Sequence, residues 1–320
     1  MEASQVYKLM TKHRLAIFGI ATIWIFFRHT FYYNQVKYSF LTPIVQIGDC
    51  GVDIFLFLSG FGLYFSYAKC FSKREFYKKR VIRILPTVLF LIGLFAISSD
   101  LIHGQMPITV FSPKYWFYSV YANYWFIGAI LFLYILFPFI CFCVKQNAIL
   151  TLMLTFIISL IVVTYIHLFN TGIFSQLVVY FARLPIFVLG VIFAHHQNLL
   201  VHKKTILILL FFSIPCLFCF PKDFQRMMYF PLAVAICTIL PLFLDKMPTL
   251  FSNILSRFGK ISLEFYLIHV FLLGIGIVSF LNKEFDVNIY VGVLVTFLFT
   301  IICSMFSSFI ISKITQLLGR

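Results

Sequence analysis

The chain has 320 residues, of which 62% are hydrophobic, 20% aromatic and only 11% charged, and its formal net charge is +15. Soluble domains carry about a quarter charged residues, so this composition excludes a water-facing globule, a disordered chain, collagen, a coiled coil and a disulfide-rich module. In a soluble protein such a basic excess would point to nucleic acid; in so apolar a chain it has to be read by position, and no nucleic-acid partner is implied.

A helix that crosses a hydrocarbon core of ~30 Å needs about 20 mostly apolar residues. In chain order, segments 15–34, 50–68, 84–103, 123–144, 148–168, 176–195, 205–221, 227–244, 261–281 and 289–311 meet that length. None alternates polar and apolar residues as a barrel strand would, so helices are the expected spanning structure. Pro107, Pro113, Pro221 and Asn282-Lys283-Glu284 punctuate the joins. The expectation is an all-α integral membrane bundle of about ten transmembrane helices, a single membrane-embedded domain over 1–320 with no separate soluble domain. The first helix lacks a cleavage signal and is expected to be retained. With the N-terminus in the cytoplasm, most of the 25 Lys and Arg residues fall in inner loops, densest from Lys69 to Arg83. By the positive-inside rule both termini are then cytoplasmic, in a multi-pass protein of the cell (inner) membrane. The sequence sets no oligomeric state.

Ionisable side chains within spans are costly and mark function by default. Here they are Arg28, His29, Asp53, Arg183, Glu264 and His269. At a rise of ~1.5 Å per residue, counted from the inner-side basic residues, His29 lies about 22 Å, Asp53 about 24 Å and Arg183 about 20 Å above the inner face. Three groups on three helices thus share one level, where a carboxylate can fix a histidine's tautomer and make it a general base; separate structural pairs are the alternative. His269 counts out at about 13 Å, nearer the midplane. Glu264 lies four residues past Lys260, the spacing of an interfacial ion pair.

From Lys69 to Arg83 the basic residues exceed what topology requires. Arg80 and Arg83 share a helix face, suited either to clamping phosphates or to lying against anionic lipid head groups. Cys141-x-Cys143 and Cys216-x-x-Cys219 sit in apolar helices with no histidine or carboxylate to complete a ligand set, so neither a metal nor a disulfide framework is expected.

Six segments in order resemble the acyltransferase-3 family of multi-span membrane O-acyltransferases, which modify bacterial surface glycans. They are GIATIWIFFRHT at 19–30, with His29 in the place of the histidine that ends the family's first-helix segment, GVDIFLFLSGF at 51–61 with Asp53 and Ser59, and FYKKRVIRILP at 76–86 with Lys79, Arg80 and Arg83. YWFIGAILFLYILFP at 124–138 with Trp125, ARLPIFVLGVIFA at 182–194 with Arg183, and GKISLEFYLIH at 259–269 with His269 complete the set. The chain departs from the family pattern at Phe18, where relatives commonly have Arg, with Arg14 one turn earlier, and at Glu264, where they have a small or aromatic residue.

The resemblance implies an acyl-CoA donor, most often acetyl-CoA, used as substrate with no bound cofactor, and a glycan hydroxyl as acceptor. It places the donor's phosphates at Arg80 and Arg83 with Lys79 nearby, and proton abstraction at His29 with Asp53. Arg28 or Arg183 would stabilise the oxyanion, and Trp125 and His269 would line the acceptor site or acyl channel. Ser59 is either an acyl-accepting nucleophile or, with Gly60, a packing notch. The competing class is a transporter or flippase with Arg183, Asp53 and His29 lining a path; the sequence shows no repeat of the kind transporters carry.

Overall fold

A computed structural model describes residues 3–70, 72–169, 172–197, 208, 211 and 222–319. The described residues are helical, without strands. The main helices are α1 (Ala3–Asn34), α2 (Cys50–Ala68), α3 (Lys73–Ile102), α4 (Trp125–Gln146), α5 (Ala148–Phe169) and α6 (Leu184–His195). After them come α7 (Lys222–Lys246), α8 (Thr249–Lys260), α9 (Ser262–Gly274), α10 (Ile277–Phe285) and α11 (Ile289–Gly319).

Among the described residues eight helical segments are long and apolar enough to cross a membrane, and the α9–α10 pair makes a ninth if its halves count as one. The expected 261–281 span is that pair, bent by 46° at a break where Gly276 takes a left-handed φ of +76°. The expected span 205–221, with Cys216 and Cys219, lies outside the described residues apart from positions 208 and 211. Prolines inside α3 (Pro86), α4 (Pro138) and α7 (Pro231, Pro241) are accommodated within continuous helices, as membrane helices allow when neighbours satisfy the freed carbonyls. Cys50, Cys70, Cys141, Cys143, Cys237 and Cys303 are free thiols, and the described residues hold no cluster of three or more metal-ligating side chains.

The chain divides into two compact units. The first comprises residues 1–21, 47–73 and 129–259. Its centre is α2 against α6, where two glycines let the backbones touch: a Cβ on Gly60 would strike the carbonyl of Phe187, and one on Gly190 the carbonyl of Phe57. Lipid supplies no hydrophobic drive between helices, so close small-residue packing of this kind holds them together. The start of α1 meets α8 in the same way, with Gly19 under Leu255 and Gly259 under Leu15. At that end Asp245 accepts from Lys12 Nζ at 2.6 Å and from His13 Nε2 at 3.2 Å, and His13 Nδ1 reaches Ser252 Oγ at 3.2 Å. Arg14 lies over the Phe18 ring, 5.3 Å from its centroid, and Phe18 stacks on Phe55 at 4.8 Å.

The second unit comprises residues 22–46, 74–128 and 260–320. Phe26 and Phe297 each pack edge to face on Phe265 at 5.8 Å, and Phe95 stacks on Phe271 at 4.2 Å. Thr296, Thr300 and Ser304 each return a hydrogen bond to the carbonyl four residues earlier, which satisfies their hydroxyls within α11. The apolar window of α11, like that of α5, is only 28% buried, against 78% for the span ending in α6. The exposed leucines, isoleucines and phenylalanines of α5 and α11 are the surface a bilayer covers.

Candidate active site

In the second unit the last turns of α1 bring His29 against His269 of α9, with His29 Nδ1 2.8 Å from His269 Nε2. His269 is 1% exposed, and its other nitrogen, Nδ1, lies 2.7 Å from the carbonyl of Phe265. A carbonyl only accepts, so His269 carries its proton on Nδ1 and offers a lone pair at Nε2. His29 must then donate its Nδ1–H to that lone pair. With both rings neutral, Nε2 of His29 is left as the unprotonated, basic nitrogen. One backbone carbonyl thus sets the tautomer of both imidazoles. The spacing that places it is helical: Phe265 and His269 are four apart, so the His269 ring falls on the preceding turn.

Aromatic rings enclose the pair. Tyr33 stands edge-on to His29 at 5.8 Å, and Phe26, Phe265 and Tyr266 pack around His269 at 5.8, 5.4 and 5.9 Å. Trp125, at the start of α4, connects to this collar through Phe126, which packs on Tyr266 at 5.6 Å. Arg28 lies over the rings of Phe31 and Tyr32, with its guanidinium 5.9 and 5.7 Å from their centroids. Beside the collar, Tyr38, Tyr290, Phe27, Phe297, Val293 and Leu294 line a cavity of about 120 Å³. Burial raises the Tyr38 phenol above its ordinary range, and the nearby Tyr290 adds to the shift while Thr30 opposes it; the group is a neutral donor or acceptor at that wall.

The basic stretch continues as α3. Arg80 lies over the Phe76 ring at 5.3 Å. Lys79 forms an i,i+4 ion pair with Glu75 at 2.6 Å, both partly exposed. Arg83 is exposed, and one turn further along Thr87 is buried and hydrogen-bonds the Glu264 carboxylate. Glu264 itself is only 7% exposed. The sequence spacing pointed to a surface pair with Lys260; instead the side chain turns inward, towards Thr87 and the charge of Arg83.

In the first unit Asp53 and Arg183 form a buried ion pair, Nε to Oδ2 at 3.2 Å, with side-chain exposures of 1% and 3%. Arg183 occupies the N-cap position of α6, and its carbonyl receives the Phe187 N–H. Ser59 is half-buried, and its neighbour Gly60 is the contact point with Phe187, the packing notch that a Ser-Gly pair in a span implies.

Four residues singled out separately in the sequence are therefore joined in two pairs, Asp53 with Arg183 and His29 with His269. The partner that fixes the tautomer of His29 is His269, where the reading of the sequence pointed to Asp53. A signal for it was present: His269 ends a segment whose Phe265 stands at the i−4 position.

A search of curated proteins and a search of solved structures each return no match. The family model described as an acyltransferase domain matches residues 19–313, nearly the whole chain, including all six of the segments quoted from the sequence. A multi-pass helical chain with that match is a membrane acyltransferase, and it belongs to the acyltransferase-3 family.

Proposed function

We propose that the protein transfers an acyl group, acetyl in the simplest case, from acyl-CoA to a hydroxyl of a cell-surface or exported glycan. The reading places it in the cell membrane with both termini in the cytoplasm. The observation that carries it is the fixed tautomer of His29, whose Nε2 is free to accept a proton because His269 and the Phe265 carbonyl hold the rest of the chain of hydrogen bonds.

In this mechanism the acceptor hydroxyl gives its proton to His29 Nε2 as its oxygen attacks the thioester carbonyl. The tetrahedral intermediate collapses, the C–S bond breaks, and the departing CoA thiolate takes the proton from His29. The products are an O-acyl ester and free CoA. While His29 is protonated, its Nδ1–H strengthens its hydrogen bond to His269 Nε2, so the neutral partner stabilises the transient cation. The aromatic collar buries His269 and covers part of His29, which limits the water that competes with the acceptor for the thioester. Arg80 and Arg83 bind the donor's phosphates. Lys79, held by Glu75, contributes to the local field. Arg28 favours an anionic or polar acceptor beside His29. Asp53 and Arg183 support the scaffold through their pair, and Trp125 helps to wall the site.

The test is release of free thiol from acetyl-CoA by membranes containing the protein, with surface-glycan O-acetylation compared between cells with and without the gene. Acetyl-CoA turnover that depends on an added glycan acceptor supports the reading. Its absence in membranes containing folded protein contradicts it.

A further inference from the structure

Glu264 has no place in the mechanism above, yet it is among the least expected side chains in the bundle. It is 7% exposed, on a helix that passes for half of a membrane span. Thr87 donates to its carboxylate, but Oε2 is buried and has no hydrogen-bond partner. A carboxylate oxygen withdrawn from water needs a donor, and in a membrane segment such a group marks a ligand path.

Its position says which ligand. Thr87 follows Arg83 by one turn of α3, a rise of about 6 Å, and His269 follows Glu264 on α9 by about 7.5 Å. Thr87 meets Glu264 and, a little over two turns on, Phe95 stacks on Phe271, so α3 and α9 run the same way within the second unit, and Arg83, the Thr87–Glu264 contact and the His29–His269 pair succeed one another along them. A coenzyme A thioester has the same sequence of chemical needs. Its phosphates require cations, and its thioester requires the base. Between them the pantetheine arm carries two secondary amides, whose N–H groups need acceptors once they leave water.

We propose that Glu264 is a donor-binding residue, with Oε2 accepting a hydrogen bond from a pantetheine amide N–H between Arg83 and the histidine pair. The proposal rests on acyl-CoA as the donor. It makes Glu264 selective for the arm, since the carboxylate repels the phosphates that Arg83 attracts.

The two ends of the ligand separate this role from a structural one. Purified protein in nanodiscs is titrated with CoA and with adenosine 3′,5′-bisphosphate, which lacks the pantetheine arm. Glu264→Leu is expected to weaken CoA binding about tenfold or more while binding of the bisphosphate is unchanged or tightened. Glu264→Gln, which keeps an acceptor oxygen and is the safer variant for folding, is expected to retain most of the CoA affinity. Unaltered CoA binding by Glu264→Leu, or equal weakening of both ligands, overturns the proposal and leaves the donor assignment standing. Failure of the wild-type protein to bind CoA overturns the donor assignment and this proposal with it.

Discussion

His29 Nδ1 faces His269 Nε2 at 2.8 Å, and the Phe265 carbonyl on the far side of His269 fixes which of the two rings donates. In the proposed mechanism, base catalysis at His29 therefore depends on a residue that need not touch substrate. His269→Ala should lower kcat for acyl transfer by roughly tenfold or more, a part of the ~10²–10⁴-fold that a positioned base contributes, with KM for the acyl donor little changed. His269→Gln, whose side-chain oxygen accepts from His29 Nδ1–H, should recover part of the loss. Equal, complete inactivity of both variants in folded protein would argue that His269 does more than position its partner.

The proposed function assigns donor binding to the arginines of α3, and it predicts different behaviour for the two neighbouring cations. Arg83→Ala should raise KM for acyl-CoA about tenfold, the scale of one lost charge-assisted phosphate contact of ~1.5–3 kcal/mol. Lys79, already paired with Glu75, should tolerate Ala with a change of less than about threefold, since exposed i,i+4 pairs contribute only ~0.3–0.5 kcal/mol. Steady-state kinetics over a range of acetyl-CoA concentrations measures both.

The Asp53–Arg183 pair is buried on both sides, so removing one partner strands a charge. Asp53→Leu or Arg183→Met alone should destabilise the protein by about 3–5 kcal/mol. The double variant Asp53→Leu with Arg183→Met should be more stable than either single change, because no unpaired charge remains. Thermal unfolding in detergent, followed by helical circular dichroism, gives the order. Additive losses would show that the two side chains do not act as a unit.

Close contact between α2 and α6 depends on glycine at two facing positions. Gly60→Ala and Gly190→Ala each place a methyl group against a carbonyl of the opposite helix and should cost about 1–3 kcal/mol by overpacking. Gly274→Ala is the control, because a Cβ there meets nothing within 4 Å. The yield of monodisperse protein after detergent extraction reports the difference.

Much of this architecture is written in the sequence in one dimension. Runs of about 20 apolar residues need no long-range information to be read as helices, because a bilayer leaves the backbone no other choice. Counting residues from the inner face also worked for Asp53 and Arg183, whose estimated depths differ by only about 4 Å and whose side chains meet. The same count placed His269 about 9 Å below His29, and they too meet. That error has a physical source: the count started at Lys260, whereas α9 begins only after a break at Ile261 and ends in the bend at Gly276. Depth counting holds for an unbroken helix and fails across a junction. Glu264 was misread for a related reason. An i,i+4 spacing to Lys260 implies a shared face only within one helix, and the break at Ile261 separates the two residues, which turns the carboxylate towards Thr87 and Arg83.

The central claim is that His29 is the base of an acyl-transfer reaction, and one comparison tests it most directly. Membranes containing wild-type protein or His29→Ala, matched for the amount of folded protein, are supplied with acetyl-CoA and glycan acceptor, and O-acetyl product and free thiol are measured together. The account predicts a loss of roughly 10²–10⁴-fold in both for His29→Ala. Product formation at the wild-type rate by His29→Ala would contradict it.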